Sequence, residues 1–119
     1  MVDDDPTFAE VVTDSLRAKG FEATAYTQGA EALETAAAGD AAVAVLDLVM
    51  PGVSGFELAR RIREASPDTQ VIILTGHPDL DSALEGLKVG VLDYIPKQSM
   101  PLPLLEASVE RAQIGRAHV

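Results

Sequence analysis

Ala-Ala-Val-Ala-Val-Leu-Asp, residues 41–47, is an unbroken apolar run closed by an acid. A strand with one wet face alternates apolar and polar residues. A run with no alternation reads instead as a strand covered on both faces, the pattern of a parallel sheet between two layers of helices. Such a strand delivers Asp47 at its carboxyl end, where open α/β sheets place their ligand crevices.

Working outward, residues 71–74 repeat the pattern, a short apolar run ending in a polar residue, Thr75. Between the two runs, residues 48–55 read as a loop. Phe56, Leu58, Ala59 and Ile62 then recur at helical spacing until Ser66-Pro67 breaks the helix. Downstream, residues 80–89 are helical with Gly90 as their stop, 91–95 form a strand followed by Pro96-Lys97, and 102–114 form a last helix. Upstream, Gly39 stops a helix over 30–38, and 21–26 read as a strand ahead of Gln28-Gly29. Pro6 opens a first helix whose Phe8, Val11, Val12 and Leu16 share one face before Gly20. Strands alternating with helices of about ten residues imply βαβ units with right-handed crossovers, hence a doubly wound α/β fold. With 119 residues the chain predicts a single domain, 1–119.

Composition narrows the function classes. Acids outnumber bases 19 to 9, for a formal charge of −10, which opposes direct contact with nucleic acid, whose phosphates are held by clustered Lys and Arg. There is no cysteine, so neither disulfides nor thiolate metal sites are available. The start, Met1-Val2-Asp3-Asp4-Asp5, has no basic and apolar leader pattern, and the apolar runs fall far short of the ~20 residues that span a bilayer. The expectation is a cytoplasmic domain without a membrane partner.

Asp3, Asp4, Asp47, Thr75 and Lys97 all fall at strand ends. Three carboxylates gathered there repel one another, and a hard divalent cation resolves the repulsion; Mg2+ suits carboxylates, a carbonyl and several waters. Lys97 supplies a point charge to a phosphoryl oxygen, and Thr75 a hydroxyl to another. Taken singly, each has a plainer reading: a solvated acidic terminus, a helix cap, a strand end, a surface base. Together they make a phosphoryl-transfer site.

The ordered set resembles response-regulator receiver domains over nearly the whole chain: Asp3-Asp4, Asp47-Leu48-Val49-Met50-Pro51-Gly52-Val53-Ser54-Gly55, Thr75-Gly76, and Asp93-Tyr94-Ile95-Pro96-Lys97. The resemblance implies a (βα)5 parallel sheet in the order 2-1-3-4-5, with Asp47 as phosphoacceptor from the phosphohistidine of a histidine kinase or histidine phosphotransfer protein. It implies Mg2+ held directly by Asp4, Asp47 and the Val49 carbonyl, with Asp3 acting mainly through water. Thr75 and Lys97 would contact the phosphoryl group, and Tyr94 would move inward as Thr75 is drawn to it. The signal would leave by the surface of the fourth helix, last strand and last helix, where a homodimer is also expected. Transfer to Asp47 and its hydrolysis would be self-catalysed, without turnover on an external substrate.

Several features depart from that pattern. Met1-Val2 leaves a truncated first strand, so the expectation is a sheet weakened at its centre, with weakened metal affinity, and either native residues ahead of Met1 or another chain filling the gap. Gln98 follows Lys97 where the family often has a cis proline, which predicts a trans bond because non-proline cis bonds cost about 2.5–4 kcal/mol. The last helix, from about residue 101, is expected to lead into a linker or an output domain. Val49 cannot orient a water through its side chain, which predicts a long-lived phosphoryl state. His77 reads as a loop residue and His118 as tail. The alternative function is a pseudo-receiver that docks a partner without phosphorylation. A flavin-phosphate binder is disfavoured by repulsion from Asp3–Asp5, and a phosphohydrolase by the lack of a carboxylate at Val49.

Overall fold

The computed structural model describes residues 1–39, 42–50, 53–76, 79–97 and 102–117. In chain order its elements are α1 (Pro6–Ala18), α2 (Gly29–Ala37), β1 (Val43–Asp47), β2 (Val49–Met50), β3 (Val53–Ser54), α3 (Gly55–Ala65), β4 (Gln70–Thr75), α4 (Leu80–Val89), β5 (Asp93–Pro96) and α5 (Leu102–Ala117). His77, Gln98 and His118, with the trans bond expected after Lys97, lie outside the described residues.

The two continuous apolar runs form the middle of the sheet. β1 pairs parallel with β4, setting Val43 opposite Gln70 and Asp47 opposite Leu74, and β4 pairs parallel with β5, setting Thr75 opposite Pro96. Alternation along each strand then sorts the core into two halves. Ala44, Leu46, Val71 and Ile73 face Ala32, Ala36, Leu58, Ala59 and Ile62 of α2 and α3. Val45, Ile72 and Leu74 face Val12, Leu16, Leu105 and Val109 of α1 and α5. Helices on both faces of a parallel sheet are the doubly wound arrangement expected from the sequence. Each fully buried Leu or Ile contributes about 1.5–3 kcal/mol.

The first strand is reduced to a remnant, yet it is paired on both sides. Val2 bridges Tyr26 on one flank and Leu46 on the other. The Val2 N–H donates to the Val45 carbonyl at 2.8 Å, and its own carbonyl accepts from the Asp47 N–H at 2.8 Å; the Asp3 N–H donates to the Tyr26 carbonyl at 3.0 Å. These bridges place the segments in the order expected, with the Tyr26 segment, Val2, β1, β4 and β5 side by side. Beside Met1 and Val2 lies a cavity of about 150 Å³, lined also by Ala23, Thr24, Val43 and Val45.

Two sequence expectations are corrected. Residues 21–26 read as a strand, but only Tyr26 enters a bridge, because its partner strand is too short to pair the rest. Residues 48–55 read as a loop, whereas β2 and β3 form a small antiparallel hairpin, with Val49 opposite Ser54. The helix starts follow local chemistry. Asp5 caps α1 by accepting from the N–H groups of Thr7 and Phe8, Ser54 caps α3 by accepting from Glu57, and Asp79 caps α4 by accepting from Ser82. Gly90 ends α4 at φ +87°, a left-handed conformation that favours glycine. None of the described helices is long and apolar enough to cross a membrane.

Candidate functional site

The parallel register brings the strand ends to one edge. Asp47 closes β1 and Thr75 closes β4, while Asp3 follows the Val2 bridge and Lys97 follows β5. Asp3, Asp4 and Asp47 each direct a carboxylate oxygen into one cluster in which these atoms lie within 4.8 Å of one another. Asp3 is 1% exposed and Asp47 6%, while Asp4 stands in solvent.

Burying two carboxylates side by side is costly unless a cation answers them. Lys97 does so within the chain. Its Nζ donates to Asp3 Oδ2 at 2.8 Å and lies 3.5 Å from Asp47 Oδ1. The other oxygen of Asp3 accepts from the Asp5 N–H at 2.9 Å, so Asp3 is held at both ends. The fit to a hard divalent cation rests on this donor set: three carboxylates converging, with one ammonium between them among the described residues, leave net negative charge at a partly open edge. Val49 follows the Asp47-Leu48 step as the first residue of β2.

Thr75 is fully buried, and Gly76 beside it lies next to the Lys97 stem, whose Cδ would be at an ordinary contact distance of 3.9 Å from a Cβ there. Tyr94 sits apart from this cluster. Its half-buried ring packs against α4, with Cδ2 3.9 Å from the Cβ position of Gly86, and its hydroxyl is buried with no hydrogen-bond partner among the described residues.

Two contributors escaped the sequence reading of the site. Gly55 receives the returning chain: its N–H donates to the Leu48 carbonyl at 2.9 Å, and a Cβ there would overlap the Asp47 carbonyl oxygen and stand 2.7 Å from Leu48 Cα. Phe8, read as a core position of α1, also places its ring under the Lys97 ammonium, 4.4 Å from Nζ to the ring centroid. The first signal was present in the motif glycine. The second spans almost the whole chain and has no local signature.

The arrangement can hold a cation among three carboxylates, one of them the buried Asp47, with the Lys97 ammonium beside it. The sequence profile described as the response regulator receiver domain matches residues 1–109. The chain is 39% identical over 114 residues to the DNA-binding transcriptional regulator NtrC of Escherichia coli K12, covering 94% of this chain and 24% of that protein. It is 32% identical over 117 residues to the transcriptional regulatory protein FixJ of Azorhizobium caulinodans, covering 98% and 54%. The chain thus spans between about a quarter and about half of these relatives. Among solved structures, a CheY-like receiver domain protein from Methanospirillum hungatei superposes with TM-score 0.88 at 25% identity, covering 99% of this chain and 94% of that one. The response regulator TrrA from Thermotoga maritima, solved in complex with Mg2+-BeF, superposes with TM-score 0.82 at 32% identity, covering 93% and 94%.

Proposed function

The chain belongs to the response regulator receiver domain family, and from that premise we propose that Asp47 accepts a phosphoryl group from the phosphohistidine of a histidine kinase or histidine phosphotransfer protein, with Mg2+ as cofactor. One observation carries the reading: Asp47 is buried at a strand end with Asp3 and Asp4 clustered beside it and Lys97 at 3.5 Å. A carboxylate so placed would act as a nucleophile, carried on a main chain that is fixed by its pairing to Val2.

In the transfer, an Asp47 carboxylate oxygen forms the new O–P bond as the P–N bond to the donor imidazole breaks, and the imidazole leaves with a proton. Charge builds on the phosphoryl oxygens. The Lys97 ammonium answers one of them, and the Thr75 hydroxyl donates to another. Asp3, Asp4, Asp47 and the Val49 carbonyl would hold the metal, which when bound screens the acids and neutralises phosphoryl charge. The reaction ends on the protein itself; no external substrate is turned over.

The same reading assigns the output. Thr75, drawn to the phosphoryl group, would free space for Tyr94, and no hydrogen bond among the described residues holds the Tyr94 hydroxyl where it is. Movement there shifts the population of conformations at the α4, β5 and α5 surface, where Leu80, Leu84 and Leu87 of α4 are exposed. That surface would serve homodimerisation or an output domain, fused beyond α5 or separate. Residues 1–119 would make one receiver domain, working in the cytoplasm and touching no nucleic acid itself.

Treating the protein with a small-molecule phosphodonor, with and without Mg2+, tests the assignment by mass shift. Wild type should gain one phosphoryl group only with Mg2+, and Asp47→Asn should gain none. Labelling that persists in Asp47→Asn would remove Asp47 from its role, and no labelling of wild type would leave a docking module.

A further inference from the structure

Among the described residues Lys97 meets two acids and one aromatic ring. Its ammonium donates to Asp3, lies near Asp47, and rests 4.4 Å above the centre of the Phe8 ring. The side chain is 22% exposed, so the contact is made in partly desolvated surroundings, where a cation over an aromatic face is attracted most strongly. Phe8 is itself fixed. Its N–H donates to Asp5 Oδ1 at 3.3 Å within the α1 cap, and its ring packs against the cluster of Val12, Leu16, Leu74 and Ile95.

Extending the reading of the site given above, we propose that Phe8 is a positioning residue: its ring holds the Lys97 ammonium beside Asp47 when Asp3 turns from Lys97 to a divalent cation. Asp3 has two roles that compete. One oxygen accepts from the Asp5 N–H and the other from Lys97 at 2.8 Å, while Asp3 also belongs to the acidic cluster, where a cation, directly or through a bound water, would draw it away from Lys97. Once Asp3 is engaged with the cation, the shortest ionic tie on Lys97 is weakened, and a flexible four-carbon stem would let the ammonium drift into solvent. The ring does not compete for the cation. It keeps the ammonium within a few ångströms of Asp47 at the moment the new O–P bond forms there and the bond to the leaving group breaks.

The test compares Phe8→Leu, which keeps the apolar packing but removes the aromatic face, with Phe8→Tyr, which keeps the face. In wild type and Phe8→Tyr, with or without Mg2+, the Lys97 Hε resonances should lie upfield through the ring current, and in Phe8→Leu they should relax to ordinary lysine positions. The rate constant for phosphorylation at saturating Mg2+ and phosphodonor should fall about three- to tenfold in Phe8→Leu, which at 1.36 kcal/mol per decade is about 0.6–1.4 kcal/mol, and Phe8→Tyr should restore it. In a Lys97→Met background the same Phe8→Leu change should alter the rate by less than about twofold, since the two residues then act as one unit. Equal loss from Phe8→Leu in both backgrounds, or Lys97 resonances that keep their upfield shift in Phe8→Leu, would overturn the positioning role. If wild type is not phosphorylated at all, the phosphoacceptor reading falls and this role falls with it. Failure of Phe8→Leu alone leaves the phosphoacceptor reading standing.

Discussion

At the scale of single residues, the pocket is a balance of buried charge. Asp3 is 1% exposed and relies on Lys97 at 2.8 Å. Truncating Lys97 to Met should therefore destabilise the metal-free protein by about 1–3 kcal/mol, below the loss for a fully buried pair because Lys97 keeps part of its exposure to water. Excess Mg2+ should recover more stability in Lys97→Met than in wild type, since the cation then replaces the charge that Lys97 supplied to Asp3 and Asp47. Thermal melts of both proteins with Mg2+ and with a chelator check this, and equal metal-induced shifts would contradict it. Gly55→Ala should be worse than a typical surface change, by about 1–3 kcal/mol, because its methyl meets the backbone of Asp47 and Leu48, which cannot swing aside. In the sequence Asp47 and Thr75 stand out because each closes an apolar run, while Asp3, Asp4 and Lys97 gain meaning only as members of the ordered set. Phe8 was legible only as core, since its partner lies at the other end of the chain.

At the scale of elements, β1 and β4 matched expectation because unbroken apolar runs allow few other placements, and α4 matched because Asp79 and Gly90 mark both its ends. The β2–β3 hairpin was not legible. Two-residue strands around Pro51-Gly52 carry no periodicity, so turn residues dominate the reading. Residues 21–26 were overread, because β-propensity announces a strand but a partner must be present to pair it. Ser54→Ala should cost about 1 kcal/mol by removing the α3 cap, measurable by urea unfolding at unchanged m-value. Adding four apolar residues ahead of Met1 should fill the cavity beside Val2 and raise the melting temperature by at least about 4 °C, the shift that ~1 kcal/mol makes in a domain of this size. An unchanged melting temperature would show that the bridges through Val2 already suffice.

At the scale of the whole molecule, two half-cores share one sheet, and the pocket is finished only when the most slender piece of that sheet docks. Strand pairs slip by one residue unless something fixes them, and each slip turns every side chain to the opposite face. Long ladders fix β1, β4 and β5. The Met1–Asp3 remnant has only its few bridge bonds, the burial of Val2 and the hold on Asp3. A slip there would turn the Val2 side chain out of the core and exchange the places of neighbouring acids. The ion pair between Asp3 and Lys97 is therefore also the catch that sets the alignment of the chain, so phasing of the sheet and assembly of the acidic pocket are one event.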